Sequence, residues 1–159
     1  MAADRETQIE LLLEHFNHPC CRWKMDRPDV AMPGGNPGCG DIVTIYARFE
    51  EEPAEAGERR LDEVSFIATG CTISQAAASM LMEKLHERLP TAEEVLAMSY
   101  EDVIDGLGRE VVSTRPRCAT LALVTLKAAA RKYLRDQGRS AAGLPIDSPL
   151  SLEFEAFEA

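Results

Sequence analysis

The chain is poor in positive charge: 17 Lys and Arg stand against 27 Asp and Glu in 159 residues, a formal net charge of -10. Nucleic acids and anionic lipids are held by basic surface, so neither is expected as a partner, and basic protein surfaces suit the chain better. Long apolar runs are also missing, so no segment is expected to span a bilayer. The opening residues Ala2, Ala3, Asp4, Arg5 and Glu6 have no apolar stretch of signal-peptide length, which leads us to expect a soluble, cytoplasmic protein. No internal repeat is present, and no Cys-x-x-Cys pair. The five cysteines, Cys20, Cys21, Cys39, Cys71 and Cys118, are odd in number. Without a secretion signal they favour metal ligation or thiol chemistry over a disulfide framework.

What is present is organised around Thr69–Leu85. This stretch reads as the end of a strand, a glycine hinge at Gly70, and a helix with Cys71 at its start. Ile73, Ala76, Ala77, Met80, Leu81 and Leu85 recur at helical spacing, with Thr72, Gln75, Ser79, Glu83 and His86 as the opposite, wetter stripe. A cysteine at the positive end of a helix dipole, beside N–H groups without intrahelical partners, is poised to ligate metal or attack sulfur.

A first amphipathic helix is predicted over Asp4–Phe16, on Ile9, Leu12, Leu13 and Phe16. Cys20–Pro37 is proline- and glycine-rich and reads as irregular, with at most a short strand near Val30–Met32. Ile42–Phe49 and Leu61–Thr69 alternate as half-buried strands, paired antiparallel across the acidic loop Glu50–Glu58. Thr91 with Glu93 and Glu94, then Ser99 with Asp102, mark two short helices ending near Met98 and at Gly106 or Gly108. Arg117 to about Gln137 reads as the best-buried helix, entered through Pro116, with Lys127, Arg131 and Arg135 on its wet side. The chain thus divides into one domain, 1–137, and an acidic tail, 138–159, expected to be disordered or loosely docked.

Cys39 precedes a strand, Cys71 opens one helix and Cys118 opens another. Asp41, two residues after Cys39, can return to the same face of its strand. Three sulfurs and a carboxylate would suit zinc or an iron–sulfur cluster. Cys20 and Cys21 read as packing or neutral surface residues, with an auxiliary ligand role as the alternative. His15, His18 and His86 show no cysteine or carboxylate partner at ligand spacing.

Three blocks closely resemble the signatures of the iron–sulfur cluster assembly scaffolds, the family of IscU, SufU and the NifU N-terminal domain. They are Asn36-Pro37-Gly38-Cys39-Gly40-Asp41, Gly70-Cys71-Thr72-Ile73-Ser74-Gln75-Ala76-Ala77-Ala78-Ser79-Met80, and Arg117-Cys118-Ala119-Thr120-Leu121. The resemblance runs from about Ile9 to Leu134. It implies an α+β fold, a small antiparallel sheet of about three strands packed against several helices. It also implies a scaffold, a carrier rather than a catalyst, that takes persulfide sulfur from a cysteine desulfurase. Iron is then added, and a labile [2Fe–2S] cluster passes to acceptor or carrier proteins. Cys39, Asp41, Cys71 and Cys118 would hold the cluster or Zn2+, with Cys118 as the persulfide acceptor. Self-association into a homo-oligomer is left open.

The chain departs from the family in three ways. Where IscU members have a histidine before the third cysteine, this chain has Arg117, as in SufU. The separation of 47 positions between Cys71 and Cys118 is too short for the extra SufU segment, and the Leu-Pro-Pro-Val-Lys stretch of IscU is absent. A zinc-dependent sulfurtransferase similar to SufU is therefore the alternative. Arg117 would then stabilise an anionic sulfur at Cys118, unless it simply faces solvent.

Overall fold

A computed structural model describes residues 3–53 and 57–146. Eight elements follow in order: α1 (Arg5–Asn17), β1 (Val30–Asn36), β2 (Asp41–Phe49), β3 (Leu61–Thr69), α2 (Thr72–Arg88), α3 (Ala92–Leu96), α4 (Tyr100–Leu107) and α5 (Pro116–Ala141). The strands form one antiparallel sheet in the order β1-β2-β3, so the fold is α+β as the resemblance implied. Among the described residues no helix is long and apolar enough to cross a membrane.

The alternation in β2 and β3 fixes their register. Val43 pairs with Ala68, Ile45 with Phe66 and Ala47 with Val64. These six side chains share one face and are buried in the main core with Leu81, Met82 and Leu85 of α2 and Leu123, Leu126 and Ala130 of α5. A second, smaller core joins Leu12 of α1, Ala76 and Ala77 of α2, Leu107 of α4, Val112 and Ala119. Both caps expected of the short helices are made: Thr91 and Glu94 form a reciprocal capping box on α3, and Ser99 Oγ accepts from Glu101 N–H at α4.

The structure differs from the sequence reading in several places, among them α1, where Ile9 and Leu13 are exposed and Leu12 is buried. β1 runs to Asn36, four residues beyond Met32. It is an edge strand, where Pro33 is tolerated because no neighbour calls on its missing donor. Gly34 is what lets α5 lie against it, since a Cβ there would overlap Thr125 Oγ1. α5 continues to Ala141 rather than ending near Gln137. One interior glycine, Gly138, costs only about 1 kcal/mol, and the helix stops at Gly143, in the left-handed region at φ 74°. Of the acidic tail, 138–141 is helical, while 147–159 lies outside the described residues.

Ser79, assigned to the wet stripe, is fully buried. α2 is sandwiched between the sheet and α1, so it has two buried faces, and Ser79 carries a polar knot between them. Its Oγ accepts from Cys20 N–H and lies 2.8 Å from His15 Nδ1, while His15 Nε2 is 3.3 Å from Glu83. Lys127 is likewise inside. Its ammonium donates to the Leu96 carbonyl at 3.1 Å and stands 4.4 Å from the centre of the Tyr100 ring.

Candidate metal centre

The site lies where the β1–β2 hairpin turn meets the starts of α2 and α5. Asn36 pairs with Asp41 across the hairpin end. The Asn36 carbonyl accepts from the N–H groups of Cys39 and Gly40, at 3.1 and 2.9 Å, and Gly40 supplies the left-handed residue at φ 68° that closes the turn. Cys39 stands exposed on this turn, whereas Asp41, the first residue of β2, is buried.

Asp41 ties the elements together. Its Oδ1 accepts the Cys71 backbone N–H at 2.7 Å, one of the donors left free where α2 begins, and its Oδ2 lies 3.6 Å from Cys71 Sγ. Gly70 makes this approach feasible. At φ 129°, it occupies backbone space unsuited to a side chain, and a Cβ would overlap Asp41 Oδ1 and come within 2.8 Å of its Cα. Cys71 caps α2, with Ser74 Oγ donating back to its carbonyl at 3.0 Å. Cys118, third residue of α5, is fully buried, and Asn36 Nδ2 points at its sulfur from 3.5 Å.

Single ligand atoms of Cys39, Asp41 and Cys118 lie within 4.8 Å of one another. Cys71 joins them through Asp41. Donors on a tetrahedral zinc shell, at about 2.3 Å from the metal, stand about 3.8 Å apart, so the three would draw together by up to about 1 Å to hold one. Cys39, Asp41 and Cys118 thus fit a thiophilic metal through two soft sulfurs and one hard carboxylate oxygen, with the Cys71 sulfur standing 3.6 Å from that carboxylate.

Burial acts on the two innermost groups in the same direction, and hydrogen bonding then separates them. Burial pushes the Asp41 carboxyl upward, but hydrogen bonds from the Cys118 thiol and from Cys71 and Ser74 outweigh it and hold the group below the usual carboxylate range. Burial pushes the Cys118 thiol up as well, and hydrogen bonds to Asp41, Cys39 and Cys71 add to the effect. The proton therefore rests on Cys118 sulfur, directed at an ionised Asp41. It must leave when a metal enters.

Two residues with a part in this geometry escaped the sequence reading. Arg115, just before α5, is the cation beside the sulfurs. The nearby Cys71 sulfur first, then the charges of Cys39 and Cys118, raise its guanidinium above its ordinary value. Arg117 instead is exposed and makes no ion pair among the described residues. Asn36 stood in the first signature block without a role; its amide faces Cys118. Nothing in the local sequence marks Arg115, because its position depends on the turn preceding Pro116.

Comparison with known proteins gives the family and the fold. The family described as NifU-like N terminal domain matches residues 8–140. The chain is 31% identical over 140 residues to the iron-sulfur cluster assembly scaffold protein IscU of Thermotoga maritima, covering 79% of this chain and 94% of that one. It is 29% identical over 128 residues to IscU 1 of Archaeoglobus fulgidus, covering 80% and 77%. Among solved structures, a nitrogen-fixing NifU-like protein (N-terminal) from Brucella abortus superposes with a TM-score of 0.63 at 16% identity, over 79% of this chain and 93% of that one. A putative scaffold protein for the SUF system from Fervidobacterium islandicum gives 0.55 at 21%, over 76% and 94%. With a family match across most of its length and the three blocks folded to one corner, the chain belongs to the NifU-like N-terminal domain family.

Proposed function

We propose that the protein is a scaffold for iron–sulfur cluster assembly. It receives sulfur from a cysteine desulfurase, combines it with iron as a labile [2Fe–2S] cluster, and releases that cluster to acceptor proteins in the cytoplasm. The observation that carries this reading is the meeting of Cys39, Asp41 and Cys118 within 4.8 Å, with Cys71 hydrogen-bonded to Asp41. The cluster is cargo. A site for cargo should hold it by donors of unequal commitment, and a carboxylate binds iron less firmly than a thiolate does.

Sulfur enters by thiol exchange. The Cys118 sulfur, freed of its proton, attacks the outer sulfur of the desulfurase persulfide. The S–S bond there breaks, the desulfurase cysteine departs as thiolate, and a persulfide remains on Cys118. Asp41 lies within 4.8 Å of the Cys118 sulfur and passes its proton on toward the departing desulfurase thiolate, and Arg115 offsets the negative charge that develops. Cys118 is buried beneath the exposed Cys39 turn, so in this reading residues 37–40 swing aside when the desulfurase docks.

A second reading, zinc-dependent sulfurtransfer, is favoured by the closeness of Cys39, Asp41 and Cys118, a donor set suited to Zn2+. Anaerobic incubation with ferrous iron, cysteine and a desulfurase separates the two. A coloured product that transfers to an apo-ferredoxin supports the scaffold. Tightly held stoichiometric zinc, no colour and strong stimulation of the desulfurase would establish sulfurtransfer instead. In the scaffold reading Asp41→Ala lengthens the life of the cluster, and colour that bleaches as fast as in the parent contradicts it.

A further inference from the structure

At the other end of α2 lies a second group of metal-ligating side chains that the cluster site does not use. The chain leaving α1 turns back at Cys20 and Cys21. Consecutive residues of an extended chain point to opposite sides, but Cys21 is held in the left-handed region at φ 63°, one of three non-glycine residues so placed among those described. A backbone conformation of this kind costs about 1–2 kcal/mol. Here it turns both sulfurs to one side, 2.7 Å apart.

The turn is clamped at both ends. Cys20 N–H donates to the buried Ser79 Oγ at 2.8 Å, and the Cys21 carbonyl accepts from Phe66 N–H of β3 at 3.0 Å. Facing the sulfurs is His86, on the last turn of α2, with Nδ1 3.6 Å from Cys21 Sγ. Ligand atoms of Cys20, Cys21 and His86 all lie within 4.8 Å of one another.

We propose that Cys20, Cys21 and His86 form a second metal site, one that takes Zn2+ through two thiolates and an imidazole and leaves a coordination position for water or a neighbouring carboxylate. His86 Nδ1 also lies 2.8 Å from the Met82 carbonyl. Ligation through Nδ1 moves the ring proton to Nε2, which the exposed position of His86 permits, and gives up that hydrogen bond. On binding, each thiol releases one proton and Zn2+ takes its place. Fifteen positions separate Cys71 from His86, about 22 Å along a helix axis, so this site and the cluster site do not share ligands. Its effect is to clip the α1–β1 connection to α2, closing a loop of more than 60 residues.

Zinc stoichiometry tests this on the full chain, purified under reducing, anaerobic conditions, loaded with excess Zn2+ and desalted. The wild type should retain one equivalent more than His86→Ala, and one more than Cys20→Ser/Cys21→Ser. His86 is exposed, so its variant is expected to fold. In a Cys39→Ser/Cys71→Ser/Cys118→Ser background one equivalent should remain, and Co2+ substituted for it should give a sulfur-to-metal charge-transfer band that vanishes with Cys20→Ser/Cys21→Ser. Should the triple variant not fold, the comparison of wild type with His86→Ala still decides. Equal zinc content in wild type, His86→Ala and Cys20→Ser/Cys21→Ser would overturn the proposal. So would a Co2+ complex of the folded triple variant with no thiolate band.

Discussion

Gly70 and Asp41 interlock, which makes Gly70 the residue with the least room for change at the cluster site. An alanine there meets a backbone angle that L-residues avoid and a carboxylate that cannot retreat without dropping the Cys71 N–H. Gly70→Ala should lower stability by about 2 kcal/mol or more in urea titration and should displace Asp41, seen as weaker zinc retention at the cluster site. The Cys118 thiol gives a second outcome, dependent on pH. Its folded-state value is raised above the ordinary thiol value of about 8.5, so the folded protein binds the proton more tightly than the unfolded chain. That stability is fully present below about pH 8.5 and is lost as pH rises toward the folded value. Metal-free protein should lose up to about 2 kcal/mol from this one group between pH 8.5 and 10. Chemical denaturation across that range should show a shallower decline in Cys118→Ser. Cys39, Cys71 and Cys118 were legible as candidate ligands because each stands in a local pattern, a glycine turn or a helix start. Arg115 was not, since only the path of the chain into Pro116 turns it toward Cys71 and Cys39, tens of residues away in sequence.

At the scale of elements, α2 holds the two cores together, and Ser79 is where its packing is least forgiving. Ser79→Ala leaves the Cys20 N–H and the His15 ring without their common partner. A buried donor so stranded costs about 1–3 kcal/mol. The loss should appear as a lower urea midpoint with an unchanged m-value, and the reduced hold on the Cys20–Cys21 turn as weaker zinc binding there. The helical period in α2 was plain from sequence, but a period reveals a stripe and not how many neighbours a helix has. Ile73, Ala76, Ala77 and Met80 face α1 and α4, while Ala78, Leu81, Met82 and Leu85 face the sheet. Residues of the supposed wet stripe therefore fall between two packed surfaces. β2 and β3 were readable because alternation reflects one buried face. β1 was obscured by Pro33, Gly34 and Gly35, which suit it to an edge and to close contact with α5 but carry little strand signal.

For the molecule as a whole, the proposed cluster site acts as a fastener. Its side chains come from the β1–β2 turn, the start of β2, the cap of α2 and the first turn of α5, elements separated by up to 79 positions from Cys39 to Cys118. The unfolded chain can gather these donors only by closing long loops, which carries an entropy cost the folded chain has already met. A metal held at the site therefore binds the folded state preferentially, and linkage converts that preference into global stability. At a free Zn2+ concentration 100 times the dissociation constant the gain is about 2.7 kcal/mol. For a domain of this size it should raise Tm by roughly 5–10 °C. The Cys20→Ser/Cys21→Ser background keeps the second site out of the measurement. In that background Cys39→Ser should remove most of the shift, and Cys39 is exposed, so the substitution leaves the core untouched. A zinc-dependent rise of the same size in both variants, by differential scanning calorimetry, would place the stabilising metal elsewhere on the surface and separate the cluster site from the stability of the fold.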